Sequence, residues 1–186
     1  MKQQQLQHPR NLGTKSVIYR QGIVIGTCIF IAVVAELTLL SRLGIPGATP
    51  DLVVVTVVAI ALAMGPLQGA SAGFAAGILM DLSPPSDTLV GVNAIIYLII
   101  GFISGYWVDP RDRTLIIIMG ITSLSTGGAA FATAAVDTLL GGSRVNWAEV
   151  PWITLSAALY GLLLTPIVVP FVGWLVKKIT PEMSFS

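Results

Sequence analysis

The sequence predicts an all-α membrane protein of six helices, and three observations carry that prediction. Of 186 residues, 54% are hydrophobic and only 10% are charged, against roughly 25% charged in an ordinary soluble domain. A chain this small leaves much of its surface exposed even when folded, so this much apolar surface calls for lipid around it. The charges fall in clumps, with uncharged stretches at 21–35, 52–80, 88–108, 114–136 and 150–176. About 20 apolar residues make one crossing. Finally, Lys and Arg gather in alternate connections. The composition excludes a soluble enzyme and a disordered chain. A net charge of +1 offers no basic surface to nucleic-acid phosphates.

Taken in order, residues 1–16 are polar (Gln3, Gln4, Gln5, Gln7) and read as a cytoplasmic tail. The membrane domain is expected over 17–178. Its first span, 20–41, has a basic start and no small-residue cleavage site, so it reads as a signal anchor. The 52–80 stretch is long for one helix and short for two, and Gly65-Pro66 divides it into 52–64 and 66–80. At 1.5 Å per residue each half reaches only about 20–22 Å. The pair forms either two short crossings or a re-entrant hairpin, whose turn must be covered by protein or a wet cavity. The stretches 88–108, 114–136 and 150–176 each suit one span, the last containing Thr165-Pro166 and Pro170. A short cytoplasmic tail, 179–186, follows.

Lys2, Arg10, Lys15, Arg20, Arg111, Arg113, Lys177 and Lys178 fall on one side of this arrangement, and only Arg42 and Arg144 on the other. The positive-inside rule then puts both termini in the cytoplasm. Trp107 and Trp174 land at inner boundaries, and Trp147 and Trp152 at outer ones, as amphipathic rings should. Glu36, Asp51, Asp81, Asp87, Asp137 and Glu149 lie at or near the outer side.

Several residues stand out as partner-binding or pocket candidates. Gly65, Gly69, Gly73 and Gly77 form a four-residue-spaced ridge on the third helix, repeated as Gly101 and Gly105 on the fourth and Gly22 and Gly26 on the first. Small residues let backbones approach closely in lipid, so the ridge serves either packing within the bundle or docking of a partner helix. On the fifth helix Thr122, Thr126, Thr133 and Asp137 share one face within about 60°. Hydroxyls can bond back to their own helix, but an ionisable residue near a span suggests a function. Glu36 is placed to pair with Arg42 or Arg144, or to sit in water. Asp51 reads as the N-cap of the second helix. Asp81 ends the glycine helix, where an acid opposes the dipole. It therefore needs a partner, either Arg42 or the N–H groups near Gly91 and Asn93. Asn93 reads as the cap of the fourth helix.

Chemistry is poorly represented. One Cys (Cys28) and one His (His8) allow neither an internal disulfide nor a His/Cys metal cluster, and no cofactor is indicated. Ser–His pairing, paired catalytic aspartates and H-E-x-x-H are missing. No ionisable group sits at mid-span, where a transporter of charged substrates would carry one.

Pro50-Asp51-Leu52, then Gly65-Pro66-x-x-Gly69, Gly73-Phe74-x-x-Gly77-x-x-x-Asp81 and Gly91-x-Asn93-Ala94-x-x-Tyr97 together resemble MreD, the small rod-shape-determining membrane proteins of bacteria. The resemblance covers most of the chain past the tail, with its specific part at about 50–105. One departure is Met64-Gly65-Pro66, where many members carry a basic residue at the turn. The resemblance implies a non-enzymatic scaffold of the inner membrane. Its partners would be MreC, a single-span protein with a large outer domain, and with it MreB, RodA and a penicillin-binding transpeptidase. It also implies a bundle like the substrate-binding S-component of vitamin transporters, which is the alternative reading; the alanine-spaced motif usual on that component's first helix is absent. A homodimer is a further expectation. In this reading the glycine ridge and an acidic rim of Asp51, Asp81 and Asp137 shape the partner surface. The alternative is a small apolar or lipid-like ligand held inside the bundle along the threonine stripe.

Overall fold

The computed structural model describes residues 10–38, 50–83, 90–107, 114–141 and 146–179, with side chains from residue 19 onward. These residues form six helices: α1 (Arg10–Thr38), α2 (Leu52–Met64), α3 (Pro66–Leu82), α4 (Val92–Trp107), α5 (Leu115–Leu139) and α6 (Val150–Ile179). The expected boundaries match closely except at the start, where α1 runs back into the segment read as a polar tail. Three helices are long and apolar enough to cross a membrane, within α1, α5 and α6, which marks the chain as a membrane protein. By length, α2 reaches about 20 Å, and α3 and α4 about 24–26 Å. The remainder of the tail, Arg42, Arg111, Arg113, Arg144, Asp87 and the C-terminal residues beyond Ile179 lie outside the described residues.

The sequence of α2, Leu-Val-Val-Val-Thr-Val-Val-Ala-Ile-Ala-Leu-Ala-Met, is apolar on every side. A helix of that kind has no face to offer water and belongs in a core. Accordingly Val54, Val55, Val57, Val58 and Ile60 are wholly buried. Every other helix touches α2, and the five surround it in the ring order α3, α4, α5, α6, α1. Large apolar side chains such as Phe30, Phe102, Leu124 and Leu163 point outward from that ring, as expected where lipid is the solvent.

The ring is tightest where α3 meets α4. Gly69 faces Gly101, Gly73 faces the Tyr97 backbone, Gly77 faces Ala94, and a Cβ on Gly105 would lie 2.7 Å from Pro66 Cα. A side chain at any of these positions would overlap the opposite backbone. Of the two uses expected for the ridge, packing within the bundle is therefore the one that Gly69, Gly73 and Gly77 serve. Gly65 does not belong to it. It is the turn between α2 and α3, with φ +101°, a conformation that favours glycine, followed by Pro66 at the first helical position. By contrast, a Cβ on Gly22 or Gly26 meets nothing within 4 Å, so the small-residue face of α1 stays open.

The direction of α6 departs from the alternation expected from charge. Glu36 accepts a hydrogen bond from Val53 N, which sets the end of α1 beside the start of α2; this is the carboxylate end of the bundle. The Gly65–Pro66 turn marks the opposite end, and Gly105 packs on it. Neighbouring Ser104 shares a hydrogen bond with Ser125 of α5. Ser123 Oγ donates to Ala158 O of α6, and Thr126 packs on Gly161. Ten residues further along α6, Phe171 and Val172 share a cavity with Leu52 and Thr56, back at the start of α2. Thus α6 rises toward the carboxylate end, parallel to α1, and brings Lys177 and Lys178 there. Its partner α5 is antiparallel to it, since Phe131 lies across from Val150 and Thr154. Asp137 therefore lies at the turn end, apart from Asp51 and Asp81, and the three do not form one rim. Within α6 the helix continues through Pro166 and Pro170, with Thr165 Oγ1 bonded to Gly161 O at 2.6 Å.

Gly73→Leu is expected to cost at least about 3 kcal/mol, because the backbones of α3 and α4 would have to part. Gly22→Leu should change stability by less than about 0.5 kcal/mol. Detergent size-exclusion profiles and melting curves of the two variants check this; equal behaviour would contradict the packing assigned to Gly73.

Candidate functional site

Five polar side chains, Glu36, Asp51, Asp81, Asn93 and Tyr97, converge at the carboxylate end. Asp51 precedes α2 and caps it, accepting from Val54 N at 2.8 Å through Oδ1. Glu36 reaches across from α1 and accepts from Val53 N, also at 2.8 Å. Between them they satisfy two of the N–H groups that every helix leaves unpaired at its start, at a place where apolar surroundings make an unpaired donor expensive. Tyr97 of α4 donates its hydroxyl to Asp51 Oδ2 at 3.2 Å. The start of α2 is thereby tied to both α1 and α4.

Asp81 does the same work one hairpin further along the chain. It sits in the last turn of α3 and is 1% exposed. Its carboxylate accepts from Gly91 N at 2.7 Å, Asn93 Nδ2 at 2.8 Å, Ala94 N at 3.3 Å and Asn93 N at 3.4 Å. An acid at the end of α3 opposes that helix's dipole, but here it serves the start of α4, where a negative charge is favourable. Of the partners expected for Asp81, the N–H groups near Gly91 and Asn93 are used, and Arg42 lies outside the described residues. Asn93 is not the cap of α4. It is the second helical residue, and its side chain supports Asp81 instead; the cap is supplied from α3. Arg42 and Arg144, expected partners of Glu36, lie outside the described residues.

The remaining candidates do not join this cluster. Thr122 and Thr126 are fully buried, yet Thr122 Oγ1 donates to Ile118 O, Thr126 Oγ1 to Thr122 O, and Thr133 Oγ1 to Ala129 O. The stripe thus bonds back to its own helix, the bland alternative for hydroxyls in a membrane, and it lines neither the cavity between α1, α2 and α6 nor the one where Phe131 faces Val150 and Thr154. Asp137 is half-buried near the end of α5. Among the described residues no group of three His, Cys, Asp or Glu side chains could hold a metal ion.

Two participants were hard to see in the sequence. Tyr97 carries part of the family resemblance, but its link to Asp51 spans 46 positions and has no local signal. The Glu36 bond to Val53 spans 17 positions across a connection of unpatterned residues. The only usable hint was an acid one turn inside an apolar span.

No protein-family model matches the chain, and neither a curated protein nor a solved structure matches it.

Chemically, the cluster is an acceptor set matched to backbone donors, which suits it to lashing helix ends together. Asp81→Ala would strand the Gly91, Asn93 and Ala94 donors, so a loss of more than about 3 kcal/mol is expected, read as a lower melting temperature in detergent. Asp81→Asn, which keeps one acceptor oxygen, should lose less. A second outcome concerns acidity. Burial pushes the Asp51 carboxyl up to about 6 from its ordinary 3.8, against the lowering effect of its bonds to Val54 and Tyr97. The folded chain thus holds this proton more tightly than the unfolded one. Its contribution to stability is greatest below about pH 4, declines as pH rises to about 6, and is flat above that. Melting curves across this range should show the decline, and Asp51→Asn should make it shallower.

Proposed function

We propose that this chain is a non-enzymatic scaffold of the bacterial cytoplasmic membrane, of the MreD kind. It would hold MreC and through it join MreB, RodA and a penicillin-binding transpeptidase in building the side wall of rod-shaped cells. One observation supports this above the others. The residues that carry the resemblance form a single set of contacts: Asp51 with Tyr97, Gly73 with the Tyr97 backbone, Gly77 with Ala94, and Asp81 with Gly91 and Asn93. A motif of small and acidic residues in an apolar frame is weak as a string. It gains weight when its members meet, because each then has a physical reason for its place.

Since the glycines of α3 are consumed by α4, partner contact in this reading shifts to surfaces the bundle leaves open. The face of α1 with Gly22 and Gly26, flanked by exposed Tyr19, Ile23 and Phe30, is the small-residue face available to a partner's transmembrane helix.

Sidedness follows from two arguments. Lys2, Arg10, Lys15 and Arg20, which precede the first span, favour a cytoplasmic N-terminus, and the packing of α6 beside the start of α2 favours a C-terminus on the opposite face. That combination makes α1, α5 and α6 the crossings and α2–α3 the re-entrant hairpin. Reporter fusions at the two ends should then read opposite faces; two cytoplasmic readings would instead restore six crossings with both ends inside.

The function is tested by an affinity pull-down from native membranes in mild detergent. Recovery of a single-span protein with a periplasmic coiled coil, together with wall synthases, is the expected result. Gly26→Leu should reduce that recovery while leaving the melting temperature unchanged. Recovery of two ATPases and a coupling membrane protein would overturn the scaffold in favour of a small-molecule uptake subunit.

A further inference from the structure

We propose that the groove where α6 meets α1 and α2 binds one anionic phospholipid, with an acyl chain in the cavity and the phosphate at Lys177 and Lys178. The cavity measures about 190 Å³ and is lined by apolar side chains that include Ala32, Leu52 and Val172. Its one polar lining residue, Thr56, has its hydroxyl bonded to Leu52 O at 2.9 Å. Water would find no partners there, and an apolar cavity of about 150 Å³ is known to stay dry and to accept a hydrocarbon instead. The rim residues Ile31 and Phe171 are 51% and 55% exposed, so the cavity opens onto the outer surface of the ring. In a membrane protein that surface faces lipid, and lipid supplies hydrocarbon chains.

The rim leads directly to a site for a headgroup. Phe171 stacks on Trp174 with ring centroids 6.5 Å apart, and Lys178 Nζ lies 4.8 Å from the Trp174 ring centroid. These three residues occupy one face of α6, at i, i+3 and i+7. They run from the cavity through an interfacial-type aromatic to two adjacent exposed lysines in the last turn. Lysines beside a membrane attract anionic headgroups. The carboxylates nearest along the chain to the lining residue Leu52 are Asp51 and, across the α1–α2 connection, Glu36. Both are engaged by the N–H groups of Val54 and Val53, so they are committed to the start of α2. Hydrocarbon cavity, aromatic step and paired cations thus follow one another along one helix, in the order in which a phospholipid presents chain, interface and phosphate.

The test uses the full chain in detergent micelles with equimolar dioleoyl phosphatidylglycerol and dioleoyl phosphatidylethanolamine, and native mass spectrometry of the retained lipid. The wild type should favour phosphatidylglycerol by about fivefold or more. Lys177→Gln with Lys178→Gln should bring the ratio near one while both lipids are still retained. Ile31→Trp, at the exposed rim and away from the core, should lower retention of both lipids. An even ratio in the wild type, a preference untouched by the double lysine change, or retention untouched by Ile31→Trp would each overturn the proposal.

Discussion

Where no water reaches, a helix cannot begin without an acceptor for its first N–H groups, and much of this structure follows from that requirement. Two helices, α2 and α4, start at the same end of the bundle. Each start is served by carboxylates from outside the helix: Glu36 beside the local cap Asp51 for α2, and Asp81 for α4. Because Glu36 comes from α1 and Asp81 from α3, satisfying these donors also fixes which helices stand side by side. The Tyr97 hydroxyl on Asp51 joins the two arrangements into one. The acids are therefore best understood as fasteners between helix ends.

A second constraint works on the bundle's interior. α2 has no polar face, so it can rest only where other helices cover it on all sides, and five of them do. Its short length then limits the depth of the shared core. The longer helices α1, α5 and α6 extend past it. The α3–α4 contact completes the ring by a different physical route. Glycine against backbone replaces side-chain interdigitation, and close approach gains dispersion energy that lipid cannot supply between helices.

This division bears on function. Surfaces fully used by internal packing, above all the glycine ridge, are unavailable to a partner whatever its identity. Surfaces left open have different chemistries: small and apolar on α1, and aromatic and cationic along the last turns of α6. A scaffold that must meet both a protein helix and its surrounding lipid would use such separate faces.

Much of the fold was legible in the sequence, since helix number, the Gly65–Pro66 break and the Asp51 cap depend on local chemistry. Uncharged runs of fixed length, a proline after a glycine, and an acid before an apolar run each act over a few residues, and the structure reproduces α2 at the residues expected. Asp81 was also legible as a misplaced charge in need of donors. What only the tertiary structure decided was which face met which. The spacing of Gly69, Gly73 and Gly77 is the same whether α4 or a foreign helix fills it. The threonines of α5 have the same period whether they line a cavity or bond to their own carbonyls. The direction of α6 is seen in Leu52 and Phe171 lining one cavity although more than a hundred residues separate them, and no local pattern encodes a juxtaposition of that separation. Sequence determines what each helix can bury; the choice of what it buries against is made by all the helices at once.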